Sequence, residues 1–372
     1  LFPVDGSFEF QSCAVCIQTD VLNEGRIADA AGYLQDTAQA ACAFNGYRYI
    51  LCSGDFLIDV VGIDMPCVDF AMNVPSMPKP NSSMHFHRLS FQGGNKVSTG
   101  MVAAARLGAK CAILGAVGDE QFGRFCVTDF ARHGIDSIIK FRRGETTALS
   151  FVLSDDETRG RSIVYHPGTC GRMTIEELPV QVLRDTKYFY LAWMDETVLY
   201  AAKTAKAAGA KIFVDADRPT PEIMEHIPMY DVFIASEFVY DSMFQNENYE
   251  KNCRKVLEMG PEIVIFTFGA KGCCGVSKNG EFFRLDAYSV SVEDTVGAGD
   301  VFHGAFLAAL IRGMTVRDAA QFSSAVSAIK CTRIGGRAGI PNYDTTIRFM
   351  QTGKIDYTEI DTRVRFYENG LG

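Results

Sequence analysis

Asp294-Thr295-Val296-Gly297-Ala298-Gly299-Asp300, running directly into Val301-Phe302-His303-Gly304-Ala305-Phe306-Leu307-Ala308-Ala309-Leu310-Ile311, decides how the rest of the chain is read. The second part has a helix pattern, because Phe302, Ala305, Phe306 and Ala309 recur at helical spacing. The first part is a glycine turn. A turn that opens a helix leaves several backbone N–H groups without internal partners, all at the positive end of the helix dipole, where an anion is favoured. Gly297 and Gly299 let the backbone approach a phosphate with no Cβ in the way. Asp300 then stands at the lip of an anion site, an odd place for a carboxylate unless it has another task. Taking the proton of a hydroxyl that attacks the phosphate is such a task. The plainer alternative is a tight turn with Asp300 as a helix cap.

The composition narrows the field. The 372 residues suffice for one large α/β domain or two small ones, and 47% hydrophobic residues can fill a substantial core. A net charge of -9 argues against nucleic acid as the main partner. No apolar run reaches the length of a membrane span, and no signal-peptide pattern opens the chain. Twelve cysteines without regular spacing read as reduced thiols, which places the expectation in the cytoplasm. Cys13 and Cys16 make one Cys-x-x-Cys, but no second pair stands at finger spacing to complete a zinc site.

Asp294-Thr-Val-Gly-Ala-Gly-Asp-Val-Phe302 resembles the second signature of the PfkB, or ribokinase-like, family of carbohydrate kinases, and the likeness runs from about Tyr47 to about Phe349. Phe91-Gln-Gly-Gly-Asn95, before an Ala-rich helix to Leu107, resembles the family's first signature, and Thr267-Phe-Gly-Ala-Lys-Gly272 its nucleotide loop. No Walker A sequence occurs, so phosphates must be held by other means. The resemblance implies a ribokinase-like α/β fold. Its central sheet is mostly parallel, with helices on both faces and a small β lid from residues 60–90 and 141–166. It also implies ATP and Mg²⁺, and transfer of the γ-phosphoryl group to a primary hydroxyl of a sugar. Lys330-Cys-Thr-Arg-x-Gly-Gly-Arg-Ala-Gly-Ile-Pro341 resembles the fructokinase and sulfofructose kinase branch, which suggests a ketose or ketose derivative.

Residue roles follow by the same resemblance. Asp300 is the base, and the N–H groups of Gly297, Ala298 and Gly299 form the anion hole. Asp59, taken as the acid past the first buried strand Tyr47–Gly54, holds the sugar with Gly93, Gly94 and Asn95. Thr267, Gly269, Gly272 and Ser324 meet the nucleotide. Asp294, with the carbonyls of Val296 and Gly335, holds a monovalent cation such as K⁺. The family's Asn-x-x-Glu is replaced by Ser236-Glu237-Phe238-Val239, leaving Glu237 as the Mg²⁺ candidate. His303 reads as a packed helix residue, Asp119 as a capping acid, and Arg159 and Arg161 as solvated hairpin charges.

Beyond the PfkB domain (47–351) lie an acid-rich extension (1–46) and a tail (352–372). Six acids face one Arg26 in the first 45 residues, and Arg26 to Ala43 has the look of a helix. Strands read at Cys111–Gly118, Tyr188–Trp193, Lys211–Asp215, Asp231–Ala235 and Ile263–Phe268 alternate with helices, as a parallel sheet requires. Expected partners are the sugar and ATP, with no nucleic acid or membrane, and a homodimer through lid strands. Two alternatives stay open. A nucleoside kinase would take an aromatic clamp from Phe70, Phe86 or Phe91. An inactive scaffold would explain the altered Asn-x-x-Glu.

Overall fold

The computed structural model describes residues 15–18, 40–44, 47–51, 58–158 and 160–369, the first three segments as strand backbone alone. The strands are β1 Val15–Gln18, β2 Ala40–Phe44, β3 Tyr47–Leu51, β4 Ile58–Ile63, β5 Cys67–Val74, β6 Arg88–Gly94, β7 Cys111–Gly118, β8 Asp136–Arg142, β9 Ala148–Asp155, β10 Arg161–His166, β11 Thr186–Leu191, β12 Lys211–Ala216, β13 Val232–Ser236, β14 Ile263–Thr267, β15 Cys273–Ser277 and β16 Phe283–Leu285. The α-helices are α1 Lys96–Arg106, α2 Gln121–Arg132, α3 Val180–Arg184, α4 Glu196–Ala207, α5 Pro221–Glu225, α6 Glu237–Met243, α7 Tyr249–Glu258, α8 Ala298–Ile311, α9 Val316–Lys330, α10 Tyr343–Thr352 and α11 Thr358–Asn369.

One sheet runs in the order β16-β15-β14-β13-β12-β11-β4-β7-β8-β1-β3-β2. Every neighbour from β14 through β11, β4 and β7 to β8 is parallel, and β15–β16 add an antiparallel edge. Strands buried on both faces must be apolar on both, and β4 shows it. Val60 packs with α1 and α8, while the adjacent Val61 packs with Leu114, Phe189 and Leu191 in the opposite core. The strands expected at residues 111–118, 188–193, 211–215, 231–235 and 263–268 are all present in this parallel run, with ends shifted by up to two residues.

Several expectations need correction. The first parallel strand is β4, not Tyr47–Gly54. The run Tyr47–Leu51 is β3, paired antiparallel to both β1 and β2 at the far edge. Both runs are short and apolar, and only their pairing separates a central strand from an edge strand. The helix pattern over Arg26–Ala43 ends in β2 from Ala40 onward, and residues 19–39 lie outside the described residues. Residues 60–63 and 141–142 belong to the central sheet, not the lid. The lid is a separate four-stranded sheet, β10-β9-β5-β6. The segment after 352 holds α11, whose Ile360, Val364 and Tyr367 are buried in a core with Ala325, Ile329 and Phe349.

The lid has two different faces. Alternation puts Val68, Phe70 and Phe91 on one side, where Phe70 and Phe91 pack edge-on and tilted among Phe122 and Phe125 of α2. Asp69, Ala71, Gln92, Ser150 and Ser154 share the other side, and Ala71 packs with Val152, Val296 and Ile334. The polar side therefore lies over the 294–300 turn.

Candidate active site

The site is built where β4 and β12 end and α1 and α8 begin. Gly297, at φ 71°, is the residue preceding α8, and no side chain caps that helix. A Cβ there would stand 2.9 Å from the Gly336 Cα in a left-handed backbone, so both crowding and conformation call for glycine. The Ala298 N–H donates to the Thr295 carbonyl at 3.2 Å, and the remaining N–H groups at the head of the helix are left for an outside acceptor. Ser327 of α9 donates to the Ala298 carbonyl at 2.8 Å and steadies this turn from behind.

The helices α1 and α8 touch backbone to backbone. A Cβ on Gly304 would lie 1.9 Å from the Gly100 carbonyl oxygen, and a Cβ on Gly100 would lie 2.6 Å from the Tyr190 hydroxyl. This contact brings Asn95 and Lys96, at the head of α1, beside Asp300 in the first turn of α8. Asn95 takes a positive φ of 72°, accepts from Lys96 N at 3.0 Å and donates to the Met65 carbonyl at 2.6 Å.

Around Asp300 stand Asp64, Lys96, Asp215 and Asp217. Burial, then Asp215, push its carboxyl up to about 8; Lys96 pulls it down, and Asp217 and Asp64 add to the rise. Lys96 donates to Asp217 at 2.9 Å. Burial works against the Lys96 charge, but Asp215, Asp217 and Asp300 outweigh it and lift its pKa. Burial likewise opposes the Asp217 charge, and Lys96, Arg218 and His303 overcome it and hold the carboxyl low. One acid is thus kept easy to protonate beside a second that stays ionised. A general base for proton transfer near neutral pH needs that poise.

Asp64 accepts Met65 N at 2.9 Å and Ser98 N at 2.6 Å, and burial raises its pKa. Asp69 accepts the Ser150 hydroxyl and, at 3.4 Å, the Cys67 thiol on one oxygen; burial raises it too. These two acids were missed. Asp59, the acid expected here, is at the opposite end of β4, where it accepts Lys110 N at 2.8 Å and Lys187 Nζ at 2.7 Å. The misread first strand hid them: once Ile58–Ile63 is the strand, the acid just past its C-terminal end is Asp64.

Gly93 and Gly94 lie on β6 beside the site; the need for hydrogen at Gly93 comes from Arg337, and at Gly94 from Asp69. A Cβ on Gly93 would fall 1.9 Å from Arg337 Nη1, and one on Gly94 2.2 Å from the Asp69 carboxylate. Arg337 is buried, donates to Asp129 at 2.5 Å and to the Gly94 carbonyl at 2.8 Å, and Asp129 also accepts the Tyr367 hydroxyl at 2.6 Å.

On the nucleotide side, Thr267 pairs in register with Ser236, and Gly269 and Gly272 bound a tight turn with φ of 55° and 85°. Ser324 is half-buried on α9, one helical turn before Ser327. Glu237 begins α6, is exposed, and accepts Lys271 Nζ at 2.7 Å. Among the described residues no cluster of His, Cys, Asp or Glu has the makings of a metal site. Asp294 is buried, accepting Ser154 Oγ at 3.0 Å, Val296 N at 2.9 Å and Gly335 N at 2.7 Å.

His303 is buried as expected, against Phe213 and Phe302, with Nδ1 2.7 Å from the Gly299 carbonyl. Glu120 rather than Asp119 caps α2, because Glu120 accepts Phe122 N and Thr147 N; Asp119 accepts Gly144 N at 3.0 Å. Arg161 is not a free hairpin charge. It donates to Thr295 Oγ1 at 3.0 Å beside the anion turn, while Arg159 lies outside the described residues.

Comparison with known proteins gives the family. A 5-dehydro-2-deoxygluconokinase of Clostridium perfringens is 25% identical over 341 residues, covering 85% of this chain and 99% of its own length. A ribokinase of Haemophilus influenzae is 28% identical over 296 residues, covering 76% and 95%. A crystal structure of a putative ribokinase II from E. coli, in complex with ATP and Mg²⁺, superposes with a TM-score of 0.69 at 23% identity, covering 79% of this chain and 99% of that one. The family described as pfkB family carbohydrate kinase matches residues 55–342, and the chain belongs to it.

Proposed function

We propose that the protein transfers the γ-phosphoryl group of ATP to a primary hydroxyl of a sugar or keto-sugar acid. The observation that carries this is Asp300, its pKa pushed up to about 8, in the first turn of an uncapped helix. The hydroxyl gives its proton to Asp300 as its oxygen attacks. The N–H groups of Gly297 and Gly299, with that of Ala298 shared with the Thr295 carbonyl, face the charge that spreads over the transferring phosphoryl oxygens. Asp64, Asp69 and Asn95, with the backbone of Gly93 and Gly94, hold the sugar hydroxyls. The 267–272 turn and Ser324 take the nucleotide. Mg²⁺ neutralises phosphate charge when bound. Glu237, exposed and paired with Lys271, is a poor ligand for it, so the ion is held by phosphates and water.

The relatives named 5-dehydro-2-deoxygluconokinase and ribokinase shift the preferred substrate from fructose or sulfofructose to 5-dehydro-2-deoxygluconate. Phe70 and Phe91 are spent against α2, so a nucleoside reading would have only Phe86, 51% exposed, as its aromatic clamp. Lid strand β10 is exposed along its length and is the surface on which a homodimer would form. The test is ATP consumption with 5-dehydro-2-deoxygluconate, ribose, fructose, sulfofructose, ketodeoxygluconate and adenosine. Turnover with one sugar and none with adenosine is expected. Turnover with adenosine alone, or ATP binding with no turnover on any sugar, overturns the reading.

A further inference from the structure

The Asp294 loop does not fit an exchangeable monovalent cation, and the reason is a side chain. Lys330, the last residue of α9 and fully buried, donates from Nζ to the Asp294 carbonyl at 3.0 Å and to the Val296 carbonyl. The Asp294 carboxylate is spent on Ser154 Oγ, Val296 N and Gly335 N, so it is turned into the loop. Gln92, also buried, reaches the Ile334 carbonyl at 3.4 Å and accepts Arg337 N and Ala338 N. The Asp294 carboxylate and the Asp294 and Val296 carbonyls, which would wrap an ion, are therefore already met by donors of the chain.

We propose that the Lys330 amino group is the fixed internal cation of the anion turn, a positioning residue that replaces K⁺, so that this protein needs no monovalent ion to bind nucleotide or to turn over. The proposal rests on residues 297–300 being the phosphoryl site. An ammonium has three donors and no acceptor, which suits a ring of carbonyls. Burying it is costly alone, but it stands at the negative end of α9 and on two carbonyls, which offset the cost. The link to the site is the peptide plane. The carbonyl of Val296 and the N–H of Gly297 belong to one planar trans peptide and point in opposite directions. A cation fixed on that oxygen holds the Gly297 N–H turned away from it, on the side where α8 opens. The same hold on the Asp294 carbonyl fixes the Asp294–Thr295 peptide. An exchangeable ion would do this only while bound, whereas Lys330 does it permanently.

The experiment is calorimetric titration with MgADP in KCl and in choline chloride at equal ionic strength, with thermal melting in both salts without nucleotide. The wild type is expected to give the same affinity within about twofold in the two salts, and the same melting temperature. Lys330→Met is expected to bind MgADP about tenfold or more weakly in either salt, the scale of losing one nearby unit charge. Lys330→Ala vacates the site, and K⁺ but not choline is expected to restore its affinity and raise its melting temperature. Saturable tightening of wild-type binding by K⁺, or wild-type affinity in folded Lys330→Met, overturns the proposal. If both variants fail to fold, the wild-type salt comparison decides it. If the wild type binds no MgADP, the kinase reading falls. Melting then decides the ion question alone: a K⁺-dependent rise in the wild type overturns the internal cation, and a rise only in Lys330→Ala supports it.

Discussion

Asp300 and Lys96 form a charge pair of opposed effect, and each predicts a measurable pH behaviour. An acid lifted from its ordinary 3.8 to about 8 keeps a proton that the unfolded chain releases. It therefore favours the fold at low pH, and that contribution is lost as pH rises from about 4 through about 8. Asp300→Asn is expected to melt higher than the wild type at pH 8, with the gap closing toward pH 5. The same variant is expected to lose about 10²–10⁴-fold in kcat while retaining MgADP affinity; near wild-type turnover would remove Asp300 from the base role. In the wild type, kcat/KM is expected to rise with pH along a limb with an apparent pKa near 8. Lys96 lowers the Asp300 pKa, so Lys96→Met is expected to move that limb to higher pH, and an unmoved limb would show that Lys96 does not couple to the base. Glu237→Gln is expected to leave the Mg²⁺ dependence of turnover within about threefold, since the carboxylate is exposed and shared with Lys271.

At the scale of elements, the buried pair Asp129–Arg337 ties α2 to the glycines of β6 and, through Tyr367, to α11. Arg337→Met alone strands a buried carboxylate and is expected to cost about 3–5 kcal/mol in urea unfolding. Asp129→Leu with Arg337→Met is expected to recover most of it, and a double variant no better than the single would show that the pair is not a closed unit. The elements were unevenly legible. The parallel run β7, β11 to β14 and helix α8 could be read because periodicity and glycine turns are local. The choice between Ile58–Ile63 and Tyr47–Leu51 as first strand could not, because both are apolar runs and their partners lie far away in sequence. Asp64 was lost with that choice. Lys330 was equally hidden: a lysine ending a helix reads as a solvated partner of the dipole, and only tertiary packing shows it buried on two carbonyls. The glycine turn that opens α8, by contrast, was legible, since its geometry is carried by seven consecutive positions.

For the whole molecule, the segment after 352 is part of the working fold rather than an appendage. Removing residues 356–372 strips Ile360, Val364 and Tyr367 from their core and the Tyr367 hydroxyl from Asp129. The truncated protein is expected to express as aggregate, whereas soluble, active protein would show that α11 is dispensable. The backbone contact between Gly100 and Gly304 has a last consequence. It welds α1, whose head is proposed to hold the sugar, to α8, whose head is proposed to hold the phosphoryl group, with no side chain between them to yield. The span from Asp64 and Asn95 to Asp300 is then a ruler, not a hinge. Such a gauge selects by reach: a sugar one carbon too long or too short can still occupy the cleft, yet its hydroxyl arrives off the mark.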